Sequence, residues 1–346
     1  MTQELMMSTH LWHGPRLPLE EKRIPIPQIE DRLDVVVRIR AANFGAALGR
    51  AVTVGHPKLK PPAVLGTLIA GDIIAKGDGI SLPLGARITV DPHPPCNHCA
   101  NCRNNLEALC TTKYTLEPGG MSEYVRIRGP LSHSIHLIPE QVTYAEAAYT
   151  EIVACVMEAT RLGNIEFGDS VVIIGCGPTA LIQIQLAHLR GAGKVICLFN
   201  HMERQDRIAE LGAIPIYSLE ADFEETIHQI TDGGANTVIE QVGTPETYSL
   251  ALRLVRSGGT VVGFGGSKKD TNIQIDPNFI HYQNITFKGS YHYRRGTFER
   301  ALKLLNLKKI QLHSILTHSI PLNQVNEAAA LIKHPDCIAL MVRSQD

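Results

Sequence analysis

The chain has 346 residues, which predicts two domains at roughly 150 residues per domain. With 44% hydrophobic and 19% charged residues, it has the composition of an ordinary globular protein with buried cores. The net charge is -1 and no basic block occurs, so we expect neither a nucleic-acid partner nor binding to an acidic membrane surface. Apolar runs fall far short of the roughly 18 residues of a membrane span, and the first residues lack a signal-peptide pattern. These features predict a cytoplasmic protein.

The first 140 residues or so have the pattern of an all-β region. Proline and glycine are frequent there, and the apolar runs are short and rich in β-branched residues. Such runs, when turn residues separate them, are typical of strands. We predict strands at Asp34–Ile39, Val64–Ala75, Arg87–Val90 and Ser122–Ile127.

Four of the eight cysteines are clustered on a proline-rich loop, at Cys96, Cys99, Cys102 and Cys110. Closely spaced thiolates can bind one tetrahedral zinc ion, and four protein ligands would leave no open position for catalysis. A bacterial iron–sulfur run has a shorter last gap, and disulfides are disfavoured in the cytoplasm. The pattern therefore predicts one structural Zn²⁺ per chain in a lobe at about 93–112. The other cysteines lie in apolar surroundings and are expected to be buried thiols: Cys155, Cys176, Cys197 and Cys337.

A helix and then an alternating pattern follow. Thr143 and Glu146 have the spacing of a capping box, and we predict that the helix continues to Leu162, where Gly163 ends it. Strand-like runs then alternate with helix-length segments, which predicts a parallel, doubly wound sheet. The six predicted strands are Val171–Ile174, Val195–Phe199, Ile214–Tyr217, Asn236–Glu240, Thr260–Phe264 and Ile285–Lys288.

The turn after the first of these strands matches the dinucleotide pattern G-x-G-x-x-G/A, with Gly175, Gly177 and Ala180 at the small positions. Pro178 and Thr179 begin the following helix, whose N-terminus has free N–H groups for phosphates. We predict that these residues bind a dinucleotide; the alternative is a tight turn without a ligand.

The second strand of the alternating region ends without the acidic residue that usually binds the adenosine ribose. Asn200 and Arg204 lie there instead and are suited to a 2′-phosphate, so NADP(H) is favoured over NAD(H). Two alternatives remain open. One is that Glu203 reaches a ribose; the other is that Phe199 only packs on the adenine and Arg204 is a solvated helix residue.

The chain resembles the zinc-type medium-chain alcohol dehydrogenase family. The motifs that carry the resemblance span nearly the whole chain: Pro62-x3-Gly66, Ala70-Gly71, the four-cysteine lobe, Glu123-Tyr-Val, the Glu151 helix, the glycine-rich turn, Ser257-Gly258-Gly259 and Phe287-Lys-Gly289. The resemblance implies a GroES-like β-barrel domain at 1–148 and 292–346 around a Rossmann domain at 149–291, with the active site in the cleft between them. It also implies a small-molecule substrate and a homodimer or homotetramer. Further cofactor contacts are implied at Val242, Gly243, Gly263, Phe264, Ser290 and His292.

The chain departs from this family at the catalytic zinc. Gly45 stands where zinc-dependent members carry a cysteine, and Gly66-Thr67-Leu68 replaces a Gly-His-Glu segment. Only Glu151 remains, and a catalytic zinc needs three protein ligands. Replacement ligands from His93 or Cys155 are the alternative.

We therefore predict an NAD(P)H-dependent oxidoreductase that reduces an activated C=C, C=N or C=O bond without catalytic zinc. Glu151, as general acid, Arg50, as anion partner, and Thr67 are the candidate catalytic residues. The alternative roles are a structural carboxylate for Glu151 and a solvated surface cation for Arg50. The competing functions are a zinc-dependent alcohol or polyol dehydrogenase with atypical ligands and a non-catalytic nucleotide-binding protein.

Overall fold

A computed structural model describes residues 5–56, 59–112 and 116–344. Within these ranges the strands are β1 Met6–Trp12, β2 Glu20–Pro25, β3 Val35–Asn43, β4 Ala63–Val64, β5 Ile69–Lys76, β6 Arg87–Val90, β7 Tyr124–Ile127, β8 Ile135–Leu137, β9 Ser170–Ile174, β10 Lys194–Phe199, β11 Ile214–Tyr217, β12 Ala235–Glu240, β13 Val255–Gly263, β14 Thr286–Gly289, β15 His318–Pro321 and β16 Leu340–Arg343. The α-helices are α1 Ala46–Val54, α2 Ala100–Arg103, α3 Gly129–Ser132, α4 Tyr144–Ala148, α5 Thr150–Leu162, α6 Pro178–Leu189, α7 Gln205–Glu210, α8 Phe223–Ile230, α9 Pro245–Leu254, α10 Pro277–Tyr282, α11 Thr297–Asn306 and α12 Ala328–Leu331. Short 3-10 helices lie at Glu107–Leu109, Met202–Arg204 and Leu322–Glu327. No helix in the described ranges is both long enough and apolar enough to cross a membrane.

The first compact unit contains the described residues of Met1–Glu151, Phe298–Asn306 and Leu312–Asp346. Among the described residues, the strands of its larger sheet have the order β15-β16-β3-β5-β6-β8, and β7 also pairs with β3. Its smaller sheet has the order β2-β1-β4. Apolar side chains from both sheets form one core, because alternate residues of each strand face the same side. The β domain predicted from the sequence is confirmed.

The second compact unit contains Ile152–Thr297 and Leu307–Gln311. Its described strands form one parallel sheet in the order β11-β10-β9-β12-β13-β14, which confirms the predicted six-stranded Rossmann sheet. The central strand β9 is buried along its whole length, as expected for a parallel strand covered on both faces. Strand order reverses beside β9, so the carboxyl ends of β9 and β12 border the crevice in which such sheets bind ligands.

The predicted strand Val64–Ala75 is wrong in its continuity, because the structure divides it into β4 and β5. Gly66 lies between them with φ +96°, a conformation that ends a regular strand. Its carbonyl accepts the N–H of Gly120 at 2.8 Å, and the carbonyl of Leu65 accepts that of Met121 at 2.9 Å. These bonds pair the segment with a neighbouring loop and redirect the chain.

The predicted capping box is confirmed, but the single helix to Leu162 is wrong. Thr143 Oγ1 accepts the N–H of Glu146, and Glu146 Oε2 accepts that of Thr143 at 2.9 Å. The helix then ends at Tyr149, whose N–H bonds to the carbonyl of Glu146, three residues back, at 3.0 Å. This tighter closure separates α4 from α5, and α5 begins at Thr150.

Candidate functional site

Four thiols converge in the loop between β6 and β7. The Sγ atoms of Cys96, Cys99, Cys102 and Cys110 all lie within 4.8 Å of one another, and those of Cys96 and Cys102 are 4.0 Å apart. Zinc–sulfur bonds of about 2.3 Å in a tetrahedron place the sulfurs about 3.8 Å apart, so this cluster has nearly the required dimensions. The residues present therefore fit a structural zinc ion.

Backbone N–H groups donate hydrogen bonds to the sulfur atoms of this cluster. The N–H of Cys99 points to Cys96 Sγ and that of Cys96 to Cys110 Sγ, each at 3.3 Å. The amide of His98 and other donors lower the pKa of Cys96 to about 5, whereas burial raises the pKa of Cys102 to about 12. A bound zinc ion would favour the thiolate form of every ligand and would offset the cost of burying Cys102.

The glycine-rich turn connects β9 to α6 at the carboxyl edge of the parallel sheet. Gly175 has φ +120°, and Gly177 is the N-cap of α6, with Pro178 at the first helical position. A Cβ on Gly177 would meet no atom within 4 Å, so the backbone is open to a ligand at this point. Thr179 follows in the first turn, where the N–H groups of the helix lack partners four residues back. This local geometry is suited to a pyrophosphate.

The end of β10 has a buried positive charge. Arg204 is only 9% exposed, so the alternative of a solvated helix residue is wrong, whereas Asn200 is exposed. Cys176, inside the glycine-rich turn, lies with its Sγ 3.8 Å from Asn200 Oδ1. Burial raises the pKa of the Cys176 thiol, and the charge of Arg204 partly opposes that change. The guanidinium is therefore close to the turn that would bind the cofactor phosphates.

The remaining predicted cofactor residues lie at the carboxyl ends of β12, β13 and β14. Val242 and Gly243 follow β12; Gly263 ends β13 and Phe264 follows it; Ser290 and His292 follow β14. The N–H of Ser290 bonds to the carbonyl of Gly263 at 2.8 Å, and the His292 ring contacts Tyr291 with 4.1 Å between centroids. The structure therefore brings these residues to one edge of one sheet.

Several buried polar atoms at this edge of the sheet have unused hydrogen-bonding capacity, which suits a polar ligand. Among the described residues of the second unit, the buried side-chain oxygens that lack a hydrogen-bond partner are Glu240 Oε2, Gln241 Oε1 and Ser290 Oγ. All three residues lie at or directly after the ends of β12 and β14. Neither Glu240 nor Gln241 was predicted as a site residue from the sequence, although an acidic residue at the end of an apolar parallel strand was a usable signal. The edge fits a dinucleotide.

The candidate catalytic residues are in the first unit. Glu151, in the first turn of α5, is 7% exposed, and its Oε1 lies 3.9 Å from His93 Nε2. The neighbouring Tyr149 is buried, and its pKa is raised by burial and by the charge of Glu151. Arg50 lies exposed on α1, and Thr67 lies exposed between β4 and β5. The fold thus places the side chains of His93 and Glu151 close together, although the two residues are far apart in the sequence.

Residues without imidazole, thiol or carboxylate groups lie at the positions where the family resemblance expects catalytic zinc ligands. Gly45 is the N-cap of α1, and a Cβ there would lie 3.1 Å from Asn43 Oδ1. Thr67 and Leu68 form the short connection to β5 and have neither imidazole nor carboxylate groups. Cys155, the other replacement ligand considered, lies half-buried on α5.

Two family models match the chain, and together they cover about two thirds of it. The alcohol dehydrogenase GroES-like domain matches residues 31–140, and the zinc-binding dehydrogenase domain matches residues 178–306. The chain belongs to the zinc-type medium-chain dehydrogenase family. The resemblance stated from the motifs is confirmed, and the protein is an NAD(P)-dependent oxidoreductase of the alcohol and polyol dehydrogenase type.

Relatives in this family match the chain along most of its length. Sorbitol dehydrogenase of Bombyx mori is 25% identical over 335 residues, which cover 94% of this chain and 95% of that protein. Sorbitol dehydrogenase of Halalkalibacterium halodurans is 29% identical over 300 residues, covering 84% and 86% respectively. A crystal structure described as a zinc-binding dehydrogenase from Sinorhizobium meliloti 1021 bound to NADP superposes with a TM-score of 0.88 at 25% identity, covering 98% of this chain and 100% of that one.

Proposed function

We propose that this protein transfers hydride between NADP(H) and a small molecule. The observation that carries the cofactor preference is the buried guanidinium of Arg204 at the end of β10, where an acidic residue would repel a 2′-phosphate. The similar protein from Sinorhizobium meliloti, bound to NADP, supports the same preference. The homodimer or homotetramer and the cytoplasmic location expected from the sequence remain parts of this proposal.

In this proposal the predicted cofactor residues bind different parts of NADP(H). The backbone at Gly175 and Gly177 and the N-terminus of α6 would bind the pyrophosphate, while Asn200 and Arg204 would bind the 2′-phosphate. The segments after β12, β13 and β14 would hold the other nucleotide. When bound, NADP(H) supplies or accepts the hydride.

We further propose that the reaction does not use a zinc ion at the family's usual catalytic position. Gly45 and Thr67 have no group that binds zinc strongly in proteins, so a substrate carbonyl would not be polarised there by a Lewis acid. The substrate class that fits is an already activated C=C, C=N or C=O bond. Glu151 would then donate the proton that balances hydride addition.

A second candidate function is a metal-dependent polyol dehydrogenase with atypical ligands. The observation that favours it is the 3.9 Å distance between His93 Nε2 and Glu151 Oε1, since imidazole and carboxylate are both common zinc ligands. Relatives named sorbitol dehydrogenase and D-xylulose reductase favour it as well. The two candidates predict different zinc contents, namely one ion per chain for the first and two for the second.

The cofactor proposal predicts tighter binding of NADPH than of NADH in a fluorescence titration. Arg204→Ala should weaken NADPH binding by about 10- to 100-fold, the effect expected from losing a charged hydrogen bond to phosphate, and leave NADH nearly unchanged. Arg207→Ala is the matched control, because that arginine lies on the adjacent α7 and contacts Glu210. Equal or tighter binding of NADH by the unmodified protein would reverse the assignment.

A further inference from the structure

Glu240, the last residue of β12, is completely buried in the second unit. Its Oε1 accepts the N–H groups of Val242 and Gly243, each at 2.7 Å. Its Oε2 has no hydrogen-bond partner among the residues that the structure describes. A buried carboxylate oxygen without a partner is unfavourable for folding, so its presence calls for an explanation other than stability.

The same residue connects two loops. Its side chain binds residues 241–243, and its carbonyl accepts the N–H groups of Phe264 and Gly265, at 2.9 and 3.0 Å, in residues 264–266. The two loops touch directly, since a Cβ on Gly265 would lie 2.3 Å from the nitrogen of Gly243 and 2.7 Å from Glu240 Oε2. Gly243 has φ +87°, so this loop shape is one that other residues adopt only with strain.

These loops lie on one side of the point where strand order reverses. The glycine-rich turn follows β9, and the residues suited to the 2′-phosphate follow β10, on the opposite side from β12. Because each half of a doubly wound sheet takes one nucleotide, the ends of β12 and β13 face the nicotinamide half. Val242 also borders the glycine-rich turn, since a Cβ on Gly175 would lie 3.2 Å from Val242 Cγ2.

We propose that Glu240 is a positioning residue that holds both loops in the shape required by the nicotinamide half of the cofactor. The proposal rests on the dinucleotide function proposed above. It explains why a buried and only half satisfied carboxylate accepts the N–H groups of Val242 and Gly243, while the main-chain carbonyl of the same residue accepts those of Phe264 and Gly265. Glu240 does not touch the reacting atoms; it acts through the backbone at residues 242–243 and 264–265.

The test compares two ligands that differ in the half under question. NADPH has both nucleotides, and adenosine 2′,5′-bisphosphate has only the adenosine half. Glu240→Ala removes the two side-chain bonds to Val242 and Gly243 and keeps the main-chain bonds to residues 264–265. It should raise the Kd for NADPH by about 10- to 100-fold, because residues 241–243 lose their alignment with the other loop, and change the Kd for the bisphosphate by less than about twofold. Glu240→Gln, which keeps an oxygen facing the two amides, should show a smaller loss. Glu225→Gln, an exposed carboxylate on α8, is the control and should change neither Kd.

Gly265→Ala is a second variant, which keeps the glutamate but displaces the two loops, because its Cβ would lie 2.3 Å from the nitrogen of Gly243 and 2.7 Å from Glu240 Oε2. It should show the same selective loss for NADPH. Equal weakening of both ligands in these variants, or no weakening of either, would overturn the positioning role while leaving the cofactor proposal intact. If the unmodified protein binds neither ligand, the proposed function itself fails.

Discussion

The chemistry of Glu151 depends on what its carboxyl group contacts. In a metal-free reaction a buried carboxyl group beside an imidazole can exchange a proton with it and donate one to the product. In a metal site the same carboxylate and imidazole are ligands, and an external group must supply the proton. The 3.9 Å distance between Glu151 Oε1 and His93 Nε2 is compatible with both arrangements. A substitution that removes the titratable proton of Glu151 and keeps the shape of its side chain would distinguish them.

We expect Glu151→Gln to lower kcat by about 10²- to 10⁴-fold, because the amide cannot act as a general acid. The Kd for NADPH, the zinc content and the folded fraction should stay the same. Glu140→Gln, an exposed carboxylate before α4, is the matched control and should keep full activity. Retained turnover per folded molecule would show that Glu151 is structural. Loss of a second zinc ion in the variant would establish the metal-dependent function.

Residues that act with near neighbours in the sequence were predictable, and those that act across the fold were not. The four cysteines and the glycine-rich turn are local patterns, and the structure groups their atoms as expected. The approach of His93 to Glu151, the burial of Arg204 and the buried carboxylate of Glu240 depend on how distant segments pack. The spacing of residues along the chain does not reveal how close such distant segments lie in the fold.

At the scale of elements, the parallel sheet was the most predictable part of the fold. Its central strands β9 and β10 are mainly apolar runs, and helix-length segments separate the strands. All six predicted strands are present in the structure. In the first unit β1, β2, β8, β15 and β16 were not predicted. In β2, for example, exposed polar residues dominate and leave no clear alternation. The breaks at Gly66 and Tyr149 depend on hydrogen bonds and packing that periodicity does not reveal.

The four-cysteine lobe is an element whose order should depend on zinc. We expect the purified protein to contain zinc that resists mild chelation, and Cys102→Ser to lose this ion because a closed tetrahedral site needs all four thiolates. Hydrogen exchange at residues 96–110 should become fast in the variant, while NADPH affinity is retained. Cys337→Ser, a buried thiol outside the cluster, should keep the zinc. A zinc-free protein that stays stable with chelators would contradict the lobe assignment.

At the scale of the whole molecule, three titratable groups with lowered pKa values make the unfolding free energy of the first unit sensitive to acid. Burial lowers the pKa of His10 on β1 although Glu21 opposes it, and burial lowers that of His136 on β8 against Asp91 and Glu299. Asp34 is also buried, yet backbone N–H groups and Arg126 keep its pKa below the usual value. All three groups bind fewer protons in the folded protein than in the unfolded chain over part of the acidic range.

We therefore expect the unfolding free energy of the first unit to decline as the pH falls below about 6.5, the pKa of an unfolded histidine, and again below about 4 as Asp34 is protonated. Each depressed histidine contributes a slope of up to about 1.4 kcal/mol per pH unit, since protons then bind the unfolded chain preferentially. The single tryptophan, Trp12, is buried in this unit, so its fluorescence in urea titrations reports the relevant transition. The double variant His10→Gln, His136→Gln should flatten the profile between about pH 6.5 and 5, whereas His313→Gln at an exposed site should not. An unchanged profile in the double variant, or stability that rises on acidification, would show that these histidines do not set the acid sensitivity.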